Sequence, residues 1–299
     1  MKRKIVSALV IFFAIASANA ANAKSPLHLK PTSAWHVDYA DERCRLARQF
    51  GEGEDLVYAF FDRYSPTEYF RLSLIGRPMK TAITNADARL QFGPSESEQK
   101  LLFLNGFLDK KPALLFVHAM RVAPPTAEEY AAATKSRKDD WIAYAEISET
   151  RKKAITYLSV GKPLSRSVIL ETGSMLSPLN ALDKCIENLV TTWGIDVEKH
   201  RSLTRLATPK QAPSKWIVSS DYPKNMLMAR QSAIIEFRLN VGPDGTPTAC
   251  RIQSTTRPKE FDDAVCKSVM RRARFLPALD AGGDPIASYY RDSVHFRIR

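Results

Sequence analysis

Apolar and polar residues alternate most regularly at the C-terminal end of the chain. The run Ile235–Val241 has an apolar residue at every second position, which predicts a strand with one buried face. Gly242–Gly245 has the residues of a tight turn, and a second strand is predicted through Cys250. Apolar residues then recur at helical spacing from Phe261 to Val269, and alternation returns between Ser288 and Ile298. This region therefore predicts the order strand, turn, strand, helix, strand.

The longer N-terminal part mixes strand-like and helix-like patterns. Its clearest helix is Pro178–Trp193, with Ser177 in position to cap the first turn and Gly194 to end it. The Ala- and Glu-rich stretch Thr126–Thr134 also favours a helix. Strands are predicted for the apolar runs Trp35–Tyr39, Leu56–Phe61, Tyr69–Ile75, Ala113–Met120, Ile155–Val160 and Ser167–Glu171. We therefore predict a mixed α+β domain.

The length of 299 residues suggests about two domains. Residues 195–220 are basic, contain two prolines and show little periodicity, so we predict a linker at 201–220. The linker separates an α+β domain over 24–200, to which the sequence assigns no function, from a C-terminal domain over 221–299.

The first residues have the pattern of an export signal. Lys2–Lys4 are basic, Ile5–Ala18 are mostly apolar, and small-x-small sites end at Ala20 and Ala23. The apolar core is shorter than the roughly 20 residues that a membrane-spanning helix needs. We therefore predict a signal peptide over 1–23, cleaved after Ala20 or Ala23, and an exported protein. The alternative is an uncleaved membrane anchor.

The predicted export affects how the four cysteines are interpreted. An even number of cysteines in an oxidising compartment favours disulfides, and four cysteines allow three connectivities. The pairing that keeps each bridge within one predicted domain is Cys44–Cys185 with Cys250–Cys266, and four reduced thiols are the alternative. No C-x-x-C spacing occurs, so the cysteines do not indicate a metal site.

The formal net charge of +12 raises the question of a nucleic-acid partner. Three of these charges belong to the predicted signal peptide. The aromatic residues do not interleave with the basic ones as a stacking platform requires, and export separates the chain from cytoplasmic nucleic acid. We therefore expect the basic faces to meet peptidoglycan, anionic lipid head groups or acidic partner segments.

Motifs of enzymes are weak or absent in the sequence. The five histidines are isolated, and no H-E-x-x-H, G-x-S-x-G or Gly-rich phosphate loop occurs. Ser97–Lys100 matches S-x-x-K but lacks the partner motifs of penicillin-recognising enzymes and falls in a predicted polar loop. We expect no catalytic residue, no cofactor and no metal. An enzyme or ligand-binding protein with its site in 24–200 stays an alternative.

The C-terminal motifs follow one another in a specific order. They run from Asp221–Pro223 through Phe237–Gly245, Cys250–Ile252, the predicted helix and Arg274–Ala278 to Gly283–Pro285 and the last strand. This order resembles the C-terminal domain of the TonB family of periplasmic energy transducers, over about 221–299. The residues that carry the family pattern are Tyr222, Pro223, Gly242, Asp244, Gly245, Phe275 and Pro277.

The resemblance implies an α+β fold in which an antiparallel sheet carries a helix on one face, preceded by the separate mixed domain. It also implies protein binding rather than catalysis, in the periplasm of a Gram-negative bacterium. Members of the family add a short partner segment as an extra strand to an exposed sheet edge. For TonB that segment belongs to an outer-membrane receptor. We expect the last strand to be this edge, with the candidate partner-binding residues Tyr290, Arg291, Asp292, Val294, His295, Phe296 and Arg297.

The chain departs from a TonB-like transducer in three ways. Such a transducer has an anchor with a functional histidine and a long proline-rich spacer, whereas here no histidine precedes His28 and a predicted compact domain replaces the spacer. The glycines usual before the first strand are replaced by Ala229–Ser232. These departures argue against the transmission of energy from the inner membrane, so the expected function is partner binding in transport across the outer membrane. A membrane-anchored, short-reach energy transducer is the alternative if residues 1–23 are not cleaved. A homodimer also remains open.

Overall fold

Two hydrophobic cores organise the protein. The computed structural model describes residues 25–84, 86–135, 146–256 and 258–298, so the predicted signal peptide over 1–23 lies outside the described residues. The first core draws its buried residues from Leu29 to Ile195, and the second from Ala207 to Phe296. The fold is therefore α+β, as the sequence predicts. We call the part of the protein around the first core the first body and the part around the second core the second body.

The first core is built on a ten-stranded, curled sheet. Its strands are β1 (Leu27–Leu29), β2 (His36–Ala40), β3 (Arg43–Phe50), β4 (Val57–Arg63), β5 (Arg71–Ile75), β6 (Ala86–Phe92), β7 (Gln99–Leu108), β8 (Lys111–Phe116), β9 (Leu158–Val160) and β10 (Val168–Leu170). Their order is β1-β10-β9-β6-β7-β8-β5-β4-β3-β2. Every neighbouring pair is antiparallel except β1 with β10. The short helices α1 (Ala127–Lys135) and α2 (Glu149–Ala154) lie between β8 and β9 in the chain.

Helix α3 (Leu176–Thr192) covers the β2–β3 end of this sheet. Its apolar stripe, from Leu179 to Val190, is buried in the first core, as the helical spacing predicts. The predicted start was wrong, because the helix begins before Ser177, after the buried residue Met175, and Ser177 does not cap it. A disulfide joins Cys44 of β3 to Cys185 of α3, with a Cα–Cα distance of 6.0 Å.

The second core lies under a three-stranded sheet. Its strands are β12 (Ala233–Val241), β13 (Pro247–Thr255) and β17 (Ser288–Phe296), all antiparallel, in the order β13-β12-β17. Helix α6 (Lys259–Arg272) packs on one face and is joined to β13 by the disulfide Cys250–Cys266. Both cysteine pairs are thus those that keep each bridge within one predicted domain.

The stretch between α3 and β12 is itself folded. It contains α4 (Val197–Arg201), the two-residue strand β11 (Thr208–Pro209) and α5 (Lys224–Met228). β11 pairs with β14 (Phe275–Leu276), and two further short strands, β15 (Ala278–Leu279) and β16 (Pro285–Ile286), pair with each other. Trp216, inside the predicted linker, is 1% exposed and packs in the second core. Residues of the predicted linker therefore help to cover the C-terminal sheet.

The turn between β12 and β13 shows why its residue types are needed. Gly245 has φ +81°, and a Cβ atom there would lie 2.1 Å from the carbonyl oxygen of Phe275. The Phe275 N–H donates to the carbonyl of Gly245 over 2.8 Å, which fixes this close approach. Asp244 accepts hydrogen bonds from the backbone N–H and hydroxyl of Thr246, and they lower its carboxyl pKa. The predicted tight turn is therefore tied to β14, which carries Phe275 of the family pattern.

Candidate functional site

The outer edge of β17 is open. The order of the sheet leaves β17 with one neighbour, β12, and the two strands pair without a register shift from Ala233↔Phe296 to Val241↔Ser288. In the part of the chain that the structure describes, no other segment makes a backbone–backbone hydrogen bond to residues 288–296. An edge strand of this kind presents every second backbone N–H and C=O group to a further strand.

The other edge of the sheet, on β13, is less suited to pairing. β13 begins with Pro247, which has no N–H to donate. Its register with β12 shifts twice, at Glu236/Phe237 and at Asn240/Val241. Proline and irregular register are devices that blunt a sheet edge against further strands. The regular edge of β17 is therefore the better template.

Three of the predicted partner-binding side chains lie on the α6 side of the sheet. Tyr290 and Phe296 pack in the second core, where the Tyr290 ring centroid lies 5.1 Å from that of Phe275 and 5.4 Å from that of Trp216. Val294 packs against the same core. Burial raises the pKa of the Tyr290 hydroxyl, which donates to Asp292 over 3.0 Å. These side chains hold the strand in place, so the accessible part of the edge is its backbone.

Arg291 points to the opposite face of the sheet, toward the first body of the protein. Its guanidinium donates to Ser65 Oγ over 3.2 Å and to the Gln253 side chain, and it lies 5.5 Å from the ring centroid of Tyr64. Burial lowers the pKa of this guanidinium. The structure therefore places Arg291 between the two bodies rather than at the free edge.

The exposed residues of the edge are at its C-terminal end. Ser293 and His295 are exposed, as is Arg297 just beyond the strand, and Arg297 Nη2 lies 3.4 Å from His295 Nδ1. The Ser293 N–H donates to the neighbouring Asp292 carboxylate over 2.8 Å. A local side chain, and not another strand, is thus the partner of this backbone N–H.

The centre of the second face of the C-terminal sheet is covered by the first body. Arg238, at the centre of β12, is 2% exposed and donates to both carboxylate oxygens of Glu42, over 2.7 and 3.0 Å. Its guanidinium carbon lies 3.9 Å from the ring centroid of Trp193, a close cation–π contact. Asn240 Nδ2 donates to the Trp193 carbonyl over 2.9 Å, and Arg71 forms an ion pair with Glu236. The prediction of one buried face therefore fails at Arg238, which is buried on the second face, whereas Ile234 of that face is 45% exposed.

Sequence reasoning missed this covered face because its residues look like those of a solvated one. Glu236, Arg238 and Asn240 alternate with apolar residues, and a polar row of this kind normally faces water. Their partners Glu42, Arg71 and Trp193 are far away in sequence, so no local pattern marks the pairing.

His200 joins the two bodies at one end of β17. Its Nε2 lies 2.9 Å from Ser288 Oγ, and its ring stacks on Tyr289 with centroids 5.2 Å apart. Burial lowers the pKa of His200 to about 4 and raises the pKa of Tyr289 to about 12. Both rings are therefore neutral near neutral pH, as an apolar contact requires.

Two clefts are present in the described part of the protein. One, of about 530 Å³, lies between the bodies and is lined by residues that include Tyr39, Glu42, Trp193 and Arg251. The other, of about 500 Å³, lies beside β1 and β10, where His28 Nδ1 is 3.3 Å from Glu171 Oε1. Within the described ranges, no group of three metal-ligating side chains is found and no helix is long and apolar enough to span a membrane.

The second body defines a class of protein. A small sheet with a helix on one face and one regular edge free is suited to binding an extended segment through backbone pairing. Residues 218–298 match the family described as Gram-negative bacterial TonB protein C-terminal. The predicted resemblance to this family is thus confirmed. Domains of the family are protein-interaction domains on the periplasmic side and are not enzymes. The search of curated proteins gives no match to the chain.

Proposed function

We propose that the protein binds an extended segment of a partner protein as a fourth strand along the free edge of β17. The observation that carries this proposal is the unbroken register of β17 with β12 at an edge that no other described segment pairs with. With α6 on one face and the first body over the centre of the other, this edge is the regular backbone surface of the sheet that is open for pairing. Main-chain hydrogen bonds then supply affinity, and side chains beside the edge supply selectivity.

The partner that we propose is the periplasmic segment of an outer-membrane receptor, in TonB-related transport. The family match supports the class of partner, and the two disulfides suit a protein exported to the periplasm of a Gram-negative bacterium. The exposed basic residue Arg297 at the accessible end of the edge favours a segment with acidic residues nearby.

Site-specific photo-crosslinking in the periplasm tests the edge directly. A photoreactive residue is placed at Ser293 or at His295, both exposed on β17. The matched controls carry it at Thr248 or Arg251, which are exposed on the blunted strand β13. We expect the β17 positions to crosslink to the periplasmic segment of a receptor and the β13 positions not to.

Two outcomes contradict this proposal. Equal crosslinking from both strands places the partner elsewhere, and crosslinks between two copies of the chain show that β17 is the edge of a homodimer.

Mass spectrometry of the N terminus distinguishes a cleaved, soluble protein from the alternative of a membrane-anchored transducer. An intact Met1 on a membrane-associated chain identifies the short-reach transducer instead.

The division into domains over 24–200 and 221–299, joined by 201–220, is proposed together with this function. In this arrangement the first body is a platform that holds the second one by its polar sheet face. Limited proteolysis with trypsin tests it. We expect the first cut at the exposed Arg201, and we expect β11 and Trp216 to stay with the C-terminal fragment, because β11 pairs with β14 and Trp216 packs in the second core.

A further inference from the structure

The β7–β8 hairpin ends in a tight turn whose neighbours are apolar and exposed. Asp109 and Lys110 form the turn with φ of 48° and 66°, the pair of positive values found in two-residue hairpins of type I′. Phe107 and Leu108 immediately precede it and pair with Pro112 and Lys111 of the returning strand. The Phe107 side chain is 76% exposed and that of Leu108 is 51% exposed.

Exposed apolar residues lie on both faces of the hairpin behind its tip. Leu104 and Leu108 share a strand face, and Leu104 pairs with Leu115 across the hairpin. Leu104 and Leu115 are both exposed. Ile83, which is also exposed, lies in the loop beside the opposite face, that of Phe107, because Asn105 of this face donates to the carbonyl of Thr81 over 3.1 Å. Several exposed apolar residues grouped at one hairpin mark an interaction site more often than a single exposed residue does.

Lysines border this apolar tip. Lys110 and Lys111 are exposed at the turn, and the Lys111 ammonium group contacts Tyr58, 4.6 Å from the ring centroid. The Gly76 N–H donates to the Pro112 carbonyl over 2.9 Å, which brings the short helical turn Arg77–Met79 and the exposed Lys80 beside the hairpin. Three lysines against one acid, Asp109, give this tip a local charge of +2. The long lysine stems can lie along apolar surface while their ammonium groups reach anionic groups.

We propose that the tip of the β7–β8 hairpin docks on an anionic phospholipid bilayer, with Phe107 and Leu108 in the interface and the lysines on the head groups. The shape and the charge together select this occupant. The apolar residues lie at the end of a hairpin and not in a groove, so acyl chains can surround them more readily than a peptide can. An aromatic ring beside lysines is the combination that peripheral proteins present to anionic lipid.

Vesicle flotation tests this proposal on the protein purified after export from the cytoplasm. Every variant is purified and compared in the same way. The probes are phosphatidylcholine vesicles and mixed phosphatidylcholine–phosphatidylglycerol vesicles. We expect the mixed vesicles to bind the protein more tightly. Phe107→Ser should weaken that binding at least about tenfold, because it removes the main apolar contact. Lys110→Glu should weaken it about fivefold or more, and added salt should have the same effect.

Met228→Ser is the matched control, because Met228 is an equally exposed apolar residue in the other body, at 80%. It should leave vesicle binding unchanged. Phe107→Trp provides a second readout, in which the indole emission shifts to the blue when mixed vesicles are added. Binding that is insensitive to Phe107→Ser, or equal on both kinds of vesicle, overturns the proposal. Self-association that Phe107→Ser abolishes, without vesicle binding, assigns the tip to a second copy of the chain and overturns it as well.

Discussion

The pair formed by Arg238 and Glu42 provides a quantitative test of how the two bodies are held together. The Arg238 side chain is 3% exposed and that of Glu42 is 18% exposed. Glu42→Gln keeps the shape of the side chain but leaves the arginine buried without its counter-charge. Breaking a fully buried pair costs about 3–5 kcal/mol. Because water reaches Glu42, we expect the free energy of unfolding to fall by about 2–3 kcal/mol.

The reverse substitution should cost less. Arg238→Met fills a similar volume over the Trp193 ring and leaves a carboxylate that is partly solvated. We expect a loss of about 1–2 kcal/mol from this variant, and a coupling energy of about 1–2 kcal/mol in the double-mutant cycle. Asp38→Asn is the matched control, because its pair with Arg43 spans 3.7 Å between side chains that are 48% and 31% exposed. That change should cost less than about 0.5 kcal/mol.

Urea unfolding followed by tryptophan fluorescence measures these differences, since the Trp193 ring lies directly under Arg238. A Glu42→Gln protein as stable as the original refutes the argument. A coupling energy of zero does so as well, because it means that the two side chains do not act on each other.

Three further predictions concern pH, backbone geometry and the second disulfide. Burial holds the pKa of His200 at about 4, below the roughly 6.5 of an unfolded histidine. The contribution of the neutral ring to the free energy of unfolding is therefore complete above pH 6.5 and is lost as the pH falls toward 4. His200→Gln should therefore flatten the fall in stability between pH 7 and 4.5, by on the order of 2 kcal/mol in urea unfolding, and an unchanged slope contradicts this. Gly245→Ala should cost about 3 kcal/mol or more in thermal unfolding, whereas Gly283→Ala, with φ +84° and open space around it, should cost only about 1 kcal/mol. Replacing Cys250 and Cys266 by serine should cost about 3 kcal/mol in the same assay, and a much smaller loss shows that the bridge adds little.

Local patterns predict the C-terminal sheet well because each of its signals is a short-range one. Alternation from Ile235 to Val241, the Gly242–Gly245 turn and the helical spacing of α6 all act within a few residues. The observed last strand, Ser288–Phe296, is two residues shorter than the predicted Ser288–Ile298.

The N-terminal sheet is harder to predict because several of its strands look polar. β3 carries Arg43 and Arg45 on one side, and Arg48 lies on the side of the buried residues Cys44 and Leu46, so the apolar pattern of the strand is hidden. Arg45 is held there by Asp62 of β4, a partner that local sequence does not reveal. The sequence analysis also predicts no strand at β7, although Leu101–Leu104 are apolar. The predicted polar loop around Ser97–Lys100 was wrong in its second half, because the strand begins at Gln99.

The candidate edge could be located from sequence, but the roles of its side chains could not. Alternation assigns Tyr290 and Phe296 to one face and Arg291 to the other. It does not show that a second body covers the face of Arg291, because the contacts with Tyr64 and Ser65 depend on how the two bodies dock.

The Cys44–Cys185 bridge lies close to the contact that holds Arg238. Glu42 lies two residues before one end of the bridge, and Trp193 lies about two helical turns beyond the other end. Both residues contact the guanidinium of Arg238, Glu42 through hydrogen bonds and Trp193 through its ring. The bridge holds β3 against α3 and so keeps Glu42 and Trp193 at the separation that Arg238 needs. Reduction of this bridge should therefore loosen the contact between the two bodies, which makes that contact sensitive to the redox state of the compartment.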